Sequence, residues 1–285
     1  MSAPFVALMR RYCVDYTARH DLSVCDQIMS PGYTLHMGGH DVAGRDKAYK
    51  PAAAAQFGQF PGLMLTVNQI ACSGDRLVLS FTEHGASSRH GAVAAWAGIG
   101  LYRWDGERLI ENFVEQDYFG RRRQLRTGNP DPVGRPALAP WDTPSVPPNP
   151  AREHLVRDWL HTTDPASQPC IEVDDAPAGH QTAPLIDVDE IEIDDLFSVG
   201  GLVAFHAVQV GFATSGEPDF APYETLSARL HIVGLVETSG EEVLGGRVIR
   251  DRLGLHKRLT AQAENKPAYK PQAAFTSIGN EELWP

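Results

Sequence analysis

The chain is poor in the features that would take it out of the class of ordinary globular proteins. Four cysteines stand at 13, 25, 72 and 170 in 285 residues, with no CxxC pair and no histidine at ligand spacing. That excludes a disulfide framework and a zinc ribbon, and predicts reduced, mostly buried thiols in a cytoplasmic protein. Positive charge is in deficit: the formal net charge is -11. A general nucleic-acid footprint is thereby excluded, because phosphate binding needs clustered Lys and Arg. Long apolar runs are missing too. The apolar stretch Gly91 to Tyr102 is far below the roughly 20 residues that span a bilayer. The N-terminal MSAPFVALMRRYC has too short an apolar run for a secretory signal, and its charges lie on the wrong side.

What is present is a chain with 42% apolar and 21% charged residues, long enough for two domains. Its organising stretch runs from Asp75 to Leu125. Three strand-like runs are separated by turn signals at Gly85 to Gly91 and at Asp105-Gly106, which makes an antiparallel meander. Period 2 along the last run puts Leu109, Glu111, Phe113, Glu115 and Asp117 on one face and Ile110, Asn112, Val114, Gln116 and Tyr118 on the other. A face with three carboxylates beside an aromatic is either solvated or the wall of a pocket.

Ahead of the meander the pattern predicts an amphipathic helix over 4–19, a short helix over 21–29 and a strand at Tyr33 to His36. A helix follows, N-capped by Asp46 and running to Phe57 despite Pro51, and then a strand from Leu63 to Cys72. Eight prolines between Thr127 and Pro150 make a stiff linker. A second unit begins with a helix over 152–162 and continues with an acidic strand from Asp187 to Asp195 and two further long apolar runs. Gly106, Asp117, Gly120 and Leu125 recur as Gly240, Asp251, Gly254 and Leu259 at one constant offset, the mark of a duplication. The second copy has no counterpart of His36 or of Gly44-Arg45-Asp46, and Val210 and Gln209 stand where the first has His84 and Glu83. The expected division is 1–128, a linker over 129–150, a degenerate copy over 151–260 and a surface arm over 261–285. The arm is expected to lie over the surface of its own or a partner subunit, and a homo-oligomer is expected.

The order Tyr33 to His36, Gly44-Arg45-Asp46, Phe60-Pro61, Gly74-Asp75-Arg76, Gly85, Gly98-Ile99, Asp105-Gly106, Glu111, Asp117, Gly120 and Gln124-Leu125 resembles the nuclear transport factor 2-like superfamily, in its SnoaL-like polyketide cyclase branch. The resemblance implies an α+β fold of tandem cone-shaped barrels, each a curved antiparallel sheet with helices over the concave face. It also implies a hydrophobic small-molecule substrate and no metal or organic cofactor. Members run from cyclases, isomerases and dehydratases to lyases acting on lignin-derived diaryl compounds and to inert binding modules, so fold alone does not choose the reaction.

Asp117 matches the position of the cyclase branch's acid/base carboxylate. Its alternative is a strand-end carboxylate paired with Arg121 or Arg122. His84 and His36 are candidate proton shuttles, although which strand face lines the cone stays open. Tyr33, Arg45, Tyr49, Phe113, Glu115 and Trp96 are candidate substrate contacts, although for Arg45 the favoured role is to hold its helix by pairing with Asp46 or a pocket carboxylate. His90 reads as a turn residue. A zinc set of His36, His40 and His84 lacks the regular spacing of a metal helix. The expected function is cofactor-free acid/base chemistry by a lyase, dehydratase or aldol-type cyclase on an oxygenated aromatic compound, in its sharpest form a deformylating lyase. A non-catalytic binding or assembly module is the alternative.

Overall fold

The computed structural model describes residues 3–89, 91–176 and 182–264. His90 and most of the expected C-terminal arm therefore lie outside the described residues. No described helix is long and apolar enough to cross a membrane.

Helix α1 (Pro4–Arg11) passes into a wider turn over Tyr12–Thr17, and α2 (Cys25–Ile28) leads into β1 (Met29–Met37). Gly38 and Gly39, at φ of 57° and 80°, turn the chain into β2 (His40–Ala43). The sequence pattern gave no sign of that short strand, because four residues show too little alternation. Arg45 starts the next helical segment after Gly44, whose φ is 96°. Asp46 is thus inside the turn and not its cap. Pro51 falls in the first turn of α3 (Lys50–Gln59), where a missing N–H costs nothing.

Strands β3 (Met64–Ser73), β4 (Arg76–Ala86), β5 (Val93–Trp104) and β6 (Leu109–Gln116) form the meander, and α4 (Tyr118–Thr127) follows. The first sheet has the order β2-β1-β6-β5-β4-β3. It is mixed, since β1 runs parallel to β6. After the proline-rich segment come α5 (Pro150–Thr162), β7 (Ile171–Val173), β8 (Ile186–Val199), β9 (Leu202–Ala213), β10 (Ser227–Ser239), β11 (Glu242–Arg250) and α6 (Arg252–Ala263). The second sheet is ordered β7-β11-β10-β9-β8, and β7 is parallel to β11. Neither sheet closes into a barrel. At the repeat offset β5, β6 and α4 fall on β10, β11 and α6, while β2 and α3 have no equivalent.

Each sheet carries helices on one face. Phe5, Met9 and Ile28 meet Leu77, Leu79, Phe81 and Tyr102 in the first unit. Val156 and Leu160 meet Val203, Phe205 and Ile232 in the second. The opposite faces pack on each other: Val78, Ile99 and Leu101 against Phe197, Val233, Leu235 and Ile249. One chain thus builds a back-to-back pair of sheets, the arrangement of an isologous dimer.

The repeated Asp-x-x-Gly has a local cause. Asp117 caps α4 by accepting from Gly120 N at 2.9 Å, and Asp251 caps α6 by accepting from Gly254 N at 2.8 Å. Caps of this kind are worth about 1 kcal/mol each. A Cβ at Gly120 would stand 2.1 Å from Asp117 Oδ2, so cap and glycine persist together. The second residue after each cap crosses to the other unit: Leu253 packs with Phe60 and Trp96, and Phe119 packs on the second core.

Close packing of the inner face sets a first test. A Cβ at Gly98 would meet Phe81 Cζ at 2.5 Å. Gly98→Ala is expected to cost about 1–3 kcal/mol through overpacking, measured by urea denaturation. Addition of Phe81→Leu should recover most of it, and an unchanged midpoint in the single variant would disprove the contact.

Candidate functional site

Period 2 along β4 turns Leu77, Leu79, Phe81 and Glu83 toward the helices and Val78 toward the second sheet. Glu83 is therefore an acid at a position where the pattern calls for a hydrophobe, and it is 6% exposed. It lines a cavity of about 50 Å³ together with Tyr12, Tyr16, Tyr49, Tyr102 and Asn112. The tyrosines come from the turn after α1, the segment before α3 and β5; Asn112 comes from the inner face of β6.

Gln56 Nε2 donates to Glu83 Oε2 at 2.7 Å. Burial nevertheless pushes the Glu83 carboxyl up to about 7, against the opposing pull of the Arg121 guanidinium and the Gln56 and Trp96 donors. Arg121 is fully buried. It lies over the rings of Tyr118, Trp96 and Phe60 at 4.3, 4.9 and 5.3 Å, so aromatic faces take part of the solvating role of water. Trp96 Nε1 donates to Gln116 Oε1 at 2.7 Å, which fixes the next wall of the cavity.

The opposite wall is a chain of phenols. Tyr16 donates to the Tyr49 hydroxyl at 3.1 Å, and Tyr12 and Tyr49 share a hydrogen bond of 3.1 Å. Burial drives all three phenols well above their ordinary value, so they stay protonated as donors. Asn112 is 1% exposed, and neither of its amide atoms has a hydrogen-bond partner among the described residues. An unpaired buried amide costs about 1–3 kcal/mol. Such a group on a cavity wall is set to meet a polar ligand atom. A buried acid near neutrality, phenolic donors and a free amide on one cavity supply a proton acceptor and groups to steady a developing oxyanion.

Of the residues selected from sequence, Tyr49 lines this cavity. Tyr33 packs beside it, ring against ring at 5.1 Å, and Trp96 backs it. The remainder lie elsewhere. His84 is on the outer face of β4, with Nε2 3.2 Å from Thr66 Oγ1. His36 stacks on Phe113 at 4.3 Å and bonds Asp41 Oδ1 at 2.7 Å through Nδ1. Phe113 and Glu115 also face the second unit: the ring of Phe113 is 5.2 Å from that of His206, and Glu115 Oε1 is 3.2 Å from His206 Nε2. At Phe113 and Glu115 the acidic face of β6 is therefore neither solvated nor a cone wall but lies in the seam between the sheets, whereas Glu111 stays partly exposed beside Arg103.

Arg45 donates to Asp46 Oδ2 at 2.8 Å and to Met29 O at 3.1 Å, which holds its helical turn. His36, His40 and His84 form no converging ligand set among the described residues. Asp117, past the end of β6, is 2% exposed and accepts from Arg252 at 2.7 Å. Its partner is thus an arginine of the second unit and not Arg121 or Arg122. Burial raises its carboxyl above the ordinary value, with Arg252 pulling the other way.

The model of the SnoaL-like domain matches residues 9–112. No curated protein matches the chain. Among solved structures, a candidate SnoaL-like polyketide cyclase from Jannaschia sp. CCS1 is similar at 19% identity, over 44% of this chain and 96% of that one, with a TM-score of 0.41. A candidate polyketide cyclase from Acidithiobacillus ferrooxidans is similar at 21% identity, over 45% and 99%, with a TM-score of 0.40. IdmH, a candidate polyketide cyclase from Streptomyces antibioticus, is similar at 17% identity, over 44% and 99%, with a TM-score of 0.39.

Proposed function

With residues 9–112 matching a SnoaL-like domain as the premise, we propose that the first unit is a cofactor-independent acid/base catalyst. Its substrate is a small, largely apolar carbonyl compound. Glu83 removes a proton next to the carbonyl and returns it elsewhere, while the Tyr12, Tyr16 and Tyr49 hydroxyls steady the enolate oxygen and Asn112 orients the substrate. The outcome is isomerisation or aldol-type ring closure. The observation that carries this reading is the burial of Glu83, at about 7, on the same cavity as the tyrosine chain.

The volume of about 50 Å³ favours a compact substrate admitted by movement of the α1–α3 side. A deformylating lyase acting on a diaryl compound needs far more room, and no residue here supports that form over the simpler one. The small cavity also keeps the second reading, a non-catalytic binding or assembly module, in play. In either case the outer face of the first sheet is already covered by the second unit, so a homo-oligomer would use other surfaces. Free, mostly buried thiols agree with a reducing, cytoplasmic location.

The test is exchange of α-protons for deuterium, followed by NMR on a panel of cyclic ketones, β-diketones and hydroxyaryl ketones. A working base requires ionised Glu83. The catalysed rate should therefore be low near pH 5, rise through a single midpoint near 7 and level off above it. Ligand-induced shifts in the protein spectrum without exchange of any panel member would favour the binding module.

A further inference from the structure

The seam between the sheets holds a second cluster with no part in the cavity. Glu115 comes from the outer face of β6, and His206 and His231 come from the outer faces of β9 and β10. Register pairs His206 with Val233, so His231 is its diagonal neighbour on the same face. One side-chain donor from each of the three lies within 4.8 Å of the others. We propose that Glu115, His206 and His231 bind one divalent transition-metal cation, zinc by the chemistry of the donors, joining the two units across their seam.

Two imidazoles and a carboxylate suit zinc, and three protein ligands leave a position open. His206 is already oriented for the task. Its Nδ1 is 2.9 Å from Asp194 Oδ2, which leaves Nε2 directed at Glu115. A carboxylate behind a ligating histidine is the usual outer support of such a site. Gly38 N donates to Glu115 Oε1 at 2.8 Å, holding that carboxylate in place. Bonds to zinc of about 2.0–2.1 Å draw donor atoms to roughly 3.5 Å apart, so binding asks for a closure of about an ångström.

The plainer reading is a buried charge group of Glu115, His206 and Asp194. It accounts for the His206 contacts, 2.9 Å to Asp194 and 3.2 Å to Glu115. His231 is left without a role. No hydrogen bond from a described residue reaches its ring, which lies 5.9 Å from that of His206. The chain above it is also unusual: a Cβ at Gly39 would be 2.9 Å from His231 Nε2, and Gly39 is at positive φ. A bare backbone turn closes over a partly buried imidazole within reach of a carboxylate, and a cation completes that group.

The experiment uses the full chain, stripped with a chelator and titrated with zinc by calorimetry and with cobalt(II) by absorption. Wild type should take up one zinc per chain and give the intense visible bands of four- or five-coordinate cobalt. His231→Gln leaves the Glu115, His206 and Asp194 contacts in place and should weaken zinc binding at least about 30-fold. Asp194→Asn should weaken it about 10–100-fold. Absence of stoichiometric uptake by wild type overturns the proposal, as does wild-type affinity in a folded His231→Gln protein. Were His231→Gln not to fold, the wild-type cobalt spectrum decides: weak bands of six-coordinate cobalt overturn the site.

Discussion

Glu83→Gln is expected to abolish proton exchange, with a loss of about 10²–10⁴-fold, and to make the protein more stable at pH 8. The two effects have one origin. Burial holds the Glu83 carboxyl at about 7 against an ordinary value of 4.5, so the folded chain binds the proton more tightly than the unfolded chain does. Stability from this group is then fully present below about pH 4.5 and is lost as pH rises through 7. Glutamine keeps the neutral shape and never ionises. At pH 8 the variant should gain on the order of 2–3 kcal/mol, and near pH 4 it should gain nothing. Urea denaturation at both pH values, beside the exchange assay, separates the possibilities. Retained exchange would remove Glu83 from the chemistry, and a loss of stability at pH 8 would mean that the ionised carboxylate is a structural partner of Arg121.

The second large effect belongs to Arg252. Its guanidinium lies among Asp117 at 2.7 Å, Asp175 at 3.0 Å and Asp174 at 3.1 Å, with 8% of its side chain exposed. Asp174 and Asp117 are almost fully buried. Arg252→Met leaves those carboxylates without their shared cation and should cost about 3–5 kcal/mol, read as a shift in the denaturation midpoint. Asp117→Asn added to it should recover part of the loss, because the two residues are in direct contact and their effects do not add. A loss below about 1 kcal/mol would show that Arg250 and Arg123 suffice to balance the acids. The repeated cap Asp251 pairs within its own unit, with Arg258 at 3.1 Å, and with 37% of that arginine side chain exposed the pair should matter much less.

The legible part of this protein is local. Alternation in 75–125 marked the meander, and the turn signals placed its bends. The recurrence of Asp117 and Gly120 as Asp251 and Gly254 marked the repeat, and both pairs proved to be caps at the start of a helix. The site was less legible. Tyr49 and Tyr33 were in view because they sit near a strand and a helix start. Glu83 carried a readable signal, an acid in phase with Leu77, Leu79 and Phe81, but two faces of a strand look alike until something covers one of them. His84 and the Phe113 and Glu115 face of β6 carry chemistry-bearing side chains just as plainly, yet both point outward from the helices.

Residue order alone determined the strands, the caps, the turns and the duplication, because each depends on neighbours a few positions apart. Tertiary structure alone decided which face of each strand is enclosed, since that depends on where the helices and the second sheet come to rest. It placed Phe113 and Glu115 in a seam between the sheets, drew Arg252 across to Asp117, and left Glu83 as the acid held away from water. Desolvation and charge pairing act through space, over separations such as the 135 positions between Asp117 and Arg252, and no short-range pattern in the chain records them.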